Sequence, residues 1–185
     1  MAPLARPFRV VLPGPESTGK TWLAGRLGAE LALPVSPEAA RLVVERRGGA
    51  LAASDIHEVA RFEIELEDVA EARALAAGAP AVLHDTDLLS TVVYGRHYNG
   101  SCPEWIERAA RVRRADLYLL LLPDVAWFPE PGLRGSAADR EAQLPIFRAV
   151  AAELGVDPVE IGGDWAAREA QARERLLSAL AGRGR

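Results

Sequence analysis

Residues Gly14-Pro15-Glu16-Ser17-Thr18-Gly19-Lys20-Thr21 fill every position of the pattern G-x-x-x-x-G-K-[ST]. Nothing else in the chain narrows its possible folds as much. Such a loop must join the end of a strand to the start of a helix: the glycines let backbone N–H groups turn inward, and the helix N-terminus adds partial positive charge. The flanks agree. Phe8-Arg9-Val10-Val11-Leu12 is a short run suited to a strand, and Trp22, Leu23, Leu27 and Leu31 recur at helical spacing behind the loop. The expected ligand is a nucleoside triphosphate, contacted by Gly14, Glu16, Ser17, Thr18, Gly19, Lys20, Thr21 and Trp22, with the Thr21 hydroxyl available to magnesium.

Lys20 is the only lysine of the chain, and the other 21 basic residues are arginine. A slim, strongly hydrated ammonium reaches between phosphates where a forked guanidinium is too wide. The one lysine therefore stands where its chemistry is needed, which identifies Lys20 as a phosphate ligand.

With 185 residues and 19.9 kDa, the chain suits one domain, residues 1–185, with a sizeable core. Its net charge of −4 and scattered arginines argue against a nucleic-acid groove. Cys102, the lone cysteine, has neither a disulfide partner nor metal-ligand spacing, which fits a reducing compartment. The N-terminus lacks the apolar stretch of a signal peptide, and the most apolar run, Leu117 to Leu122, is too short to span a bilayer. These features predict a cytoplasmic protein with no membrane association.

Strand and helix signals alternate. Leu33-Pro34-Val35-Ser36 reads as a strand, followed by a helix from Pro37 to Arg46. Ser54 is the expected cap of a long helix to Ala77, with Val59, Phe62, Leu66 and Val69 as its apolar stripe and the glutamates on a solvated face. Ala81-Val82-Leu83 reads as a buried strand, then come helices over 88–98 and 103–113, a central strand at Leu117 to Leu122, and a helix from Arg140 to Leu154. Val159-Glu160-Ile161 is the last strand, and Asp164 caps a terminal helix. The order predicts a parallel sheet covered on both faces. The segment 123–140, rich in proline and glycine, is expected to be a mobile lid.

In open α/β folds ligands collect beyond the carboxyl ends of the strands. Three polar clusters fall there: Glu38 with Arg41, Asp85 with Asp87, and Trp127 through Arg140. Asp85, directly after an apolar strand, suits a magnesium-coordinating aspartate, and Asp87 suits contact with a second substrate. Each also has a plain structural alternative: Asp85 or Asp87 as a helix cap, Glu38 and Arg41 as a solvated helix pair, Trp127 as a core aromatic.

The ordered set of motifs resembles the ribosylnicotinamide kinase domain of the bacterial NadR type. The likeness covers most of the chain. It rests on the octapeptide at 14–21, Pro37-Glu38-Ala39-Ala40-Arg41, and Asp85-Thr86-Asp87-Leu88-Leu89-Ser90-Thr91 running to Tyr98-Asn99-Gly100. Asp116-Leu117-Tyr118-Leu119-Leu120-Leu121, Trp127, Gly132-Leu133-Arg134 and Arg140 complete it. Two positions depart: the family usually has an aromatic at Ala39, and an aspartate where this chain has Pro131, with Glu130 one earlier. The adenylyltransferase domain of the fused proteins has no counterpart in these 185 residues.

The resemblance implies a P-loop NTPase fold of nucleoside and nucleotide kinase type, a three-layer α/β sandwich with a parallel sheet of about five strands. It also implies transfer of the ATP γ-phosphoryl to the 5′-hydroxyl of nicotinamide riboside, with Mg2+. Lys20, Asp85, Arg134 and Arg140 are then the catalytic residues, and Thr21 and Asp85 hold the metal. Glu38, Arg41, Asp85, Asp87, Tyr98 and Trp127 bind the riboside, and Asp85 or Glu38 is the base. Two rival readings share the phosphate machinery. One is a kinase for another nucleoside or nucleotide; the other is a nucleotide-dependent switch, weakened by the absence of an Asn-Lys-x-Asp run.

Overall fold

Period-two alternation of side chains across short apolar strands builds the centre of the molecule. The computed structural model describes residues 6–129 and 136–183. Five strands, β1 (Phe8–Val11), β2 (Val35–Ser36), β3 (Ala81–His84), β4 (Leu117–Leu121) and β5 (Val159–Ile161), form one sheet in the order β2-β3-β1-β4-β5. Every pairing is parallel. Val10, Leu12, Leu119, Leu121 and Ile161 enter one apolar cluster, and Val11, Tyr118 and Leu120 enter the other. Burial on both faces is why β3 and β4 read as continuous apolar runs.

Helices cover the two faces. α1 (Lys20–Leu31) and α7 (Trp165–Arg183) bring Leu23, Leu27 and Leu176 to one side. α4 (Leu88–Asn99), α5 (Glu104–Val112) and α6 (Ala137–Leu154) bring Val92, Ile106 and Phe147 to the other. α2 (Ala39–Arg47) and α3 (Ile56–Ala77) close the β2 edge through Val43 and Val59. The result is the three-layer α/β sandwich with a five-stranded parallel sheet that the alternation of elements predicts.

Local chemistry shifts several boundaries. α2 starts at Ala39 rather than Pro37, because Glu38 keeps an extended backbone. The Ser54 cap is replaced by a 3-10 turn over Ala53–Asp55, in which Asp55 accepts from the Ala52 amide at 2.8 Å. α6 starts at Ala137 because Ser136 and Asp139 form a reciprocal capping box. Pro145 lies inside this helix. Trp22 stays 40% exposed rather than joining the core.

The largest correction concerns α3. Its glutamates are not all solvated: Glu63 and Glu67 are 2% and 1% exposed, while Val69 of the expected apolar stripe is 48% exposed. Glu67 is answered by Arg9 at 2.8 Å and Arg113 at 2.9 Å, which explains its burial.

Candidate active site

Strand register gathers the site. Val11 pairs with His84, and Ser36 also pairs with His84, so the chain leaving β1, β3 and β2 emerges on one edge of the sheet. The loop at 14–21, Asp85 and Glu38 therefore meet although 64 residues separate Thr21 from Asp85. The Thr21 hydroxyl donates to Asp85 Oδ2 at 2.6 Å, and the Arg41 guanidinium lies 3.3 Å from Glu38 Oε2 and 3.4 Å from Thr21 Oγ1.

The loop is built from constrained backbone. Gly14 has φ +151°, and a Cβ there would lie 2.7 Å from the Leu121 carbonyl oxygen. Gly19 has φ +85°, and a Cβ there would collide with the Trp165 ring. Ser17 takes the left-handed region at φ +56°. Lys20 is buried, and its ammonium donates across the loop to the Pro15 carbonyl at 3.0 Å, beside the Thr18 hydroxyl at 2.8 Å from the same oxygen.

A cavity of about 390 Å³ opens over this loop, lined by Ser17, Lys20, Thr21, Trp22, Glu38 and Trp127 among others. Beside it lies a second, narrower cavity, lined by Asp55 and Glu63 of the α3 region, Thr86, Thr91, Tyr94 and Tyr98 among others. Glu16 and Glu38 line both, so the two spaces adjoin at these carboxylates. Among the described residues, no arginine, lysine or histidine lines the second cavity.

Thr86 between Asp85 and Asp87 has φ +76°, costly for a β-branched residue by about 1–3 kcal/mol. That turn carries the Thr86 hydroxyl to Glu63 Oε2 at 3.4 Å and faces the second cavity. Burial, followed by the neighbouring Glu38, pushes the Asp85 carboxyl up to about 6, against the pull of Lys20 and Thr21. Its Oδ1 is buried without a hydrogen-bond partner. An oxygen-donor pair with one unsatisfied carboxylate oxygen fits a hard divalent cation, which takes few protein ligands when phosphates supply the rest.

Several expected residues stand elsewhere. Asp87 lines neither cavity: Oδ1 accepts from the Leu89 and Ser90 amides at 3.0 and 3.4 Å, and Oδ2 accepts from the Tyr118 hydroxyl at 3.0 Å. It caps α4 and holds β4, which corrects the expectation that it faces a substrate. Trp127 borders the cavity over the loop rather than the second one. Tyr98 does line the second cavity, donating to Glu16 Oε1 at 2.9 Å and accepting from Gln143 Nε2 at 3.0 Å. Arg140 is buried and donates to the Val125 carbonyl at 2.8 Å, so it anchors the segment after β4 rather than lining either cavity. Arg134 and the middle of the expected lid lie outside the described residues.

Other residues of the site escaped the sequence reading. Arg168 of α7, fully buried, donates to the carbonyls of Thr18, Leu122 and Gly163 at 2.9, 2.7 and 2.8 Å and pairs with Asp124. It ties the loop to the ends of β4 and β5. Tyr94 donates to the Gly14 carbonyl at 3.0 Å, and Trp165 meets Trp22 edge to face at 5.0 Å beside the loop. The only available signal was the Gly162-Gly163-Asp164 turn that starts α7.

Residues 9–168 match the family described as AAA domain. No curated protein matches the sequence. Among solved structures, this chain is similar to the NadR protein in complex with NAD and AMP-PNP, at 22% identity and a TM-score of 0.71, over 94% of this chain and 50% of that one. It is also similar to the NadR protein in complex with NR, at 22% identity and a TM-score of 0.73, over 96% of this chain and 53% of that one. Thymidylate kinase from Ehrlichia chaffeensis is similar at 14% identity and a TM-score of 0.66, over 94% of this chain and 100% of that one. The chain spans about half the length of the NadR proteins it matches. At these identities the likeness establishes a shared fold.

Proposed function

We propose that this chain, which belongs to the AAA domain family that its residues 9–168 match, is an ATP-dependent kinase that phosphorylates nicotinamide riboside to nicotinamide mononucleotide. One observation carries this reading. The second cavity adjoins the phosphate loop through Glu16 and Glu38, adds Asp55 and Glu63, and has no basic side chain in its described lining. A nucleotide acceptor brings phosphate charge for which such a lining offers no counter-charge. A riboside with a pyridinium base brings the opposite charge.

In the proposed reaction the loop amides and the Lys20 ammonium receive the triphosphate, and Lys20 exchanges its bond to Pro15 for phosphate oxygens. Thr21 and Asp85 would hold magnesium, which neutralises charge on the triphosphate when bound. Glu38 lines both cavities and takes the proton from the acceptor 5′-hydroxyl as the phosphorus–oxygen bond forms. ADP is the leaving group. Asp85, bonded to Thr21, serves the metal side. Tyr98, braced by Glu16 and Gln143, offers its ring to the acceptor, while Trp127, Trp22 and Arg41 border the ATP side.

The test measures ADP release from ATP alone and with nicotinamide riboside, uridine, thymidine and their monophosphates. Release should respond most to nicotinamide riboside, and Lys20→Ala should lower turnover by about a hundredfold or more through loss of a preorganised charge. A preference for a monophosphate would refute the acceptor assignment, and an active Lys20→Ala variant would refute the role of the loop.

A further inference from the structure

Glu63 is a buried carboxyl with no ion-pair partner among the described residues. It sits in the middle of α3, almost fully buried, and borders the second cavity. Its Oε2 accepts the Thr86 hydroxyl at 3.4 Å, and its Oε1 is buried with no hydrogen-bond partner. The arginines nearby are committed elsewhere. Arg9 and Arg113 both bind Glu67, one turn further along α3, and Arg9 also binds Glu71. Asp87 spends its oxygens on the α4 amides and Tyr118.

A buried carboxyl with one oxygen unpartnered and no ion-pair partner among the described residues is expensive unless it has a ligand to meet. We propose that Glu63 is the specificity-determining residue of the acceptor cavity, where its carboxylate pairs with the positive charge of a cationic acceptor and discriminates against a neutral one of the same shape. The inference rests on the acceptor-cavity reading above, which uses Glu63 only as part of an acidic lining, and assigns this one carboxyl the discrimination by charge.

The surroundings explain how this works without a protein counter-ion. Burial, then the charges of Glu67 on the same helix, Asp87 at the start of α4 and Glu38 before α2, drive the Glu63 carboxyl well above its ordinary range, while the Ala39 amide opposes them. Before binding, burial and these neighbouring carboxylates favour the protonated, neutral form of Glu63. When a cationic acceptor enters, the O–H bond of the acid breaks, the proton leaves to solvent and the carboxylate remains against the cation. A neutral acceptor gives no reason for that proton to leave.

The experiment compares nicotinamide riboside with its dihydro form, which has nearly the same shape and no ring charge, in wild type and Glu63→Gln. Wild type should prefer the cation about tenfold or more in kcat/KM. Glu63→Gln should lose about tenfold or more on the cation, mostly in KM, and stay within about threefold on the neutral riboside. Wild-type calorimetry at pH 6 in two buffers of different ionisation enthalpy needs no variant. It should report release of up to about one proton on binding the cation and none on binding the neutral form. Parallel loss on both ribosides, unchanged selectivity, or cation binding without proton release overturns the inference and leaves the kinase reading standing. If wild type uses neither riboside but does phosphorylate another nucleoside, the riboside reading fails and the inference falls with it.

Discussion

Arg168 offers the sharpest test of how the loop is held, because nothing about substrates enters the calculation. Its guanidinium donates to three carbonyls, those of Thr18, Leu122 and Gly163, at 2.7 to 2.9 Å, from a fully buried position. Arg168→Met keeps most of the aliphatic stem and so leaves little void, but it strips all three carbonyls of their donor. Hydrogen bonds to a charged group are worth about 1.5–3 kcal/mol each, and their simple sum overstates the loss because the carbonyls share one donor and relax together. Asp124 is partly exposed, so its pairing with Arg168 adds no more than about 1 kcal/mol. Removing a buried, networked charge of this kind costs about 3–5 kcal/mol. With a urea slope of about 2 kcal/mol/M, the unfolding midpoint should fall by about 2 M. Arg168→Lys keeps the charge without the fork and should recover about half of the loss. The assay is urea unfolding followed by circular dichroism, paired with binding of a fluorescent ATP analogue below the transition. Binding should weaken in the methionine variant, since the Thr18 carbonyl belongs to the loop proposed to hold the triphosphate. A methionine variant within about 1 kcal/mol of wild type would falsify the view that Arg168 clamps the loop.

Asp87→Ala should destabilise the protein by about 2–4 kcal/mol, through loss of the α4 cap and of the acceptor for the buried Tyr118 O–H, while KM for the acceptor stays within about twofold; a selective rise in KM at unchanged stability would return Asp87 to the acceptor cavity. His84 is buried with neither ring nitrogen hydrogen-bonded, and burial, then the charges of Arg9 and Arg113, hold its pKa down to about 3. A depressed folded-state value means that its contribution is fully present above the ordinary value of 6.5 and is lost as pH falls towards 3. Between pH 6.5 and 5 wild type should therefore lose about 2 kcal/mol relative to His84→Gln, read from paired urea curves at each pH. Parallel pH dependence in the two proteins would refute a neutral buried imidazole.

Much of the architecture was legible in the chain because local chemistry specifies it. Alternation of apolar strands with capped helices gave the five-stranded parallel sheet, and the octapeptide holding Gly14, Gly19, Lys20 and Thr21 marked the passage from the first strand into the first helix. Asp85 was identifiable as the polar residue ending a buried strand, and the sheet register does bring it against Thr21. The reading failed where a side chain has two possible neighbours. Asp87 lies two residues from Asp85, yet the positive φ at Thr86 turns it inward to α4 and β4. The glutamates of α3 look like a solvated face until Arg9 from β1 and Arg113 from beyond α5 arrive to answer Glu67 and leave Glu63 beside the cavity. Arg168 reaches the loop from 150 residues away. Sequence by itself determined the element order and the strand-to-helix setting of the loop at 14–21, because these depend on spacing, turn geometry and residue type within a few positions. Which charges are buried, which carboxyls meet a partner, and which are left facing a cavity belonged to the tertiary structure, because burial and pairing depend on chain segments that only folding brings together.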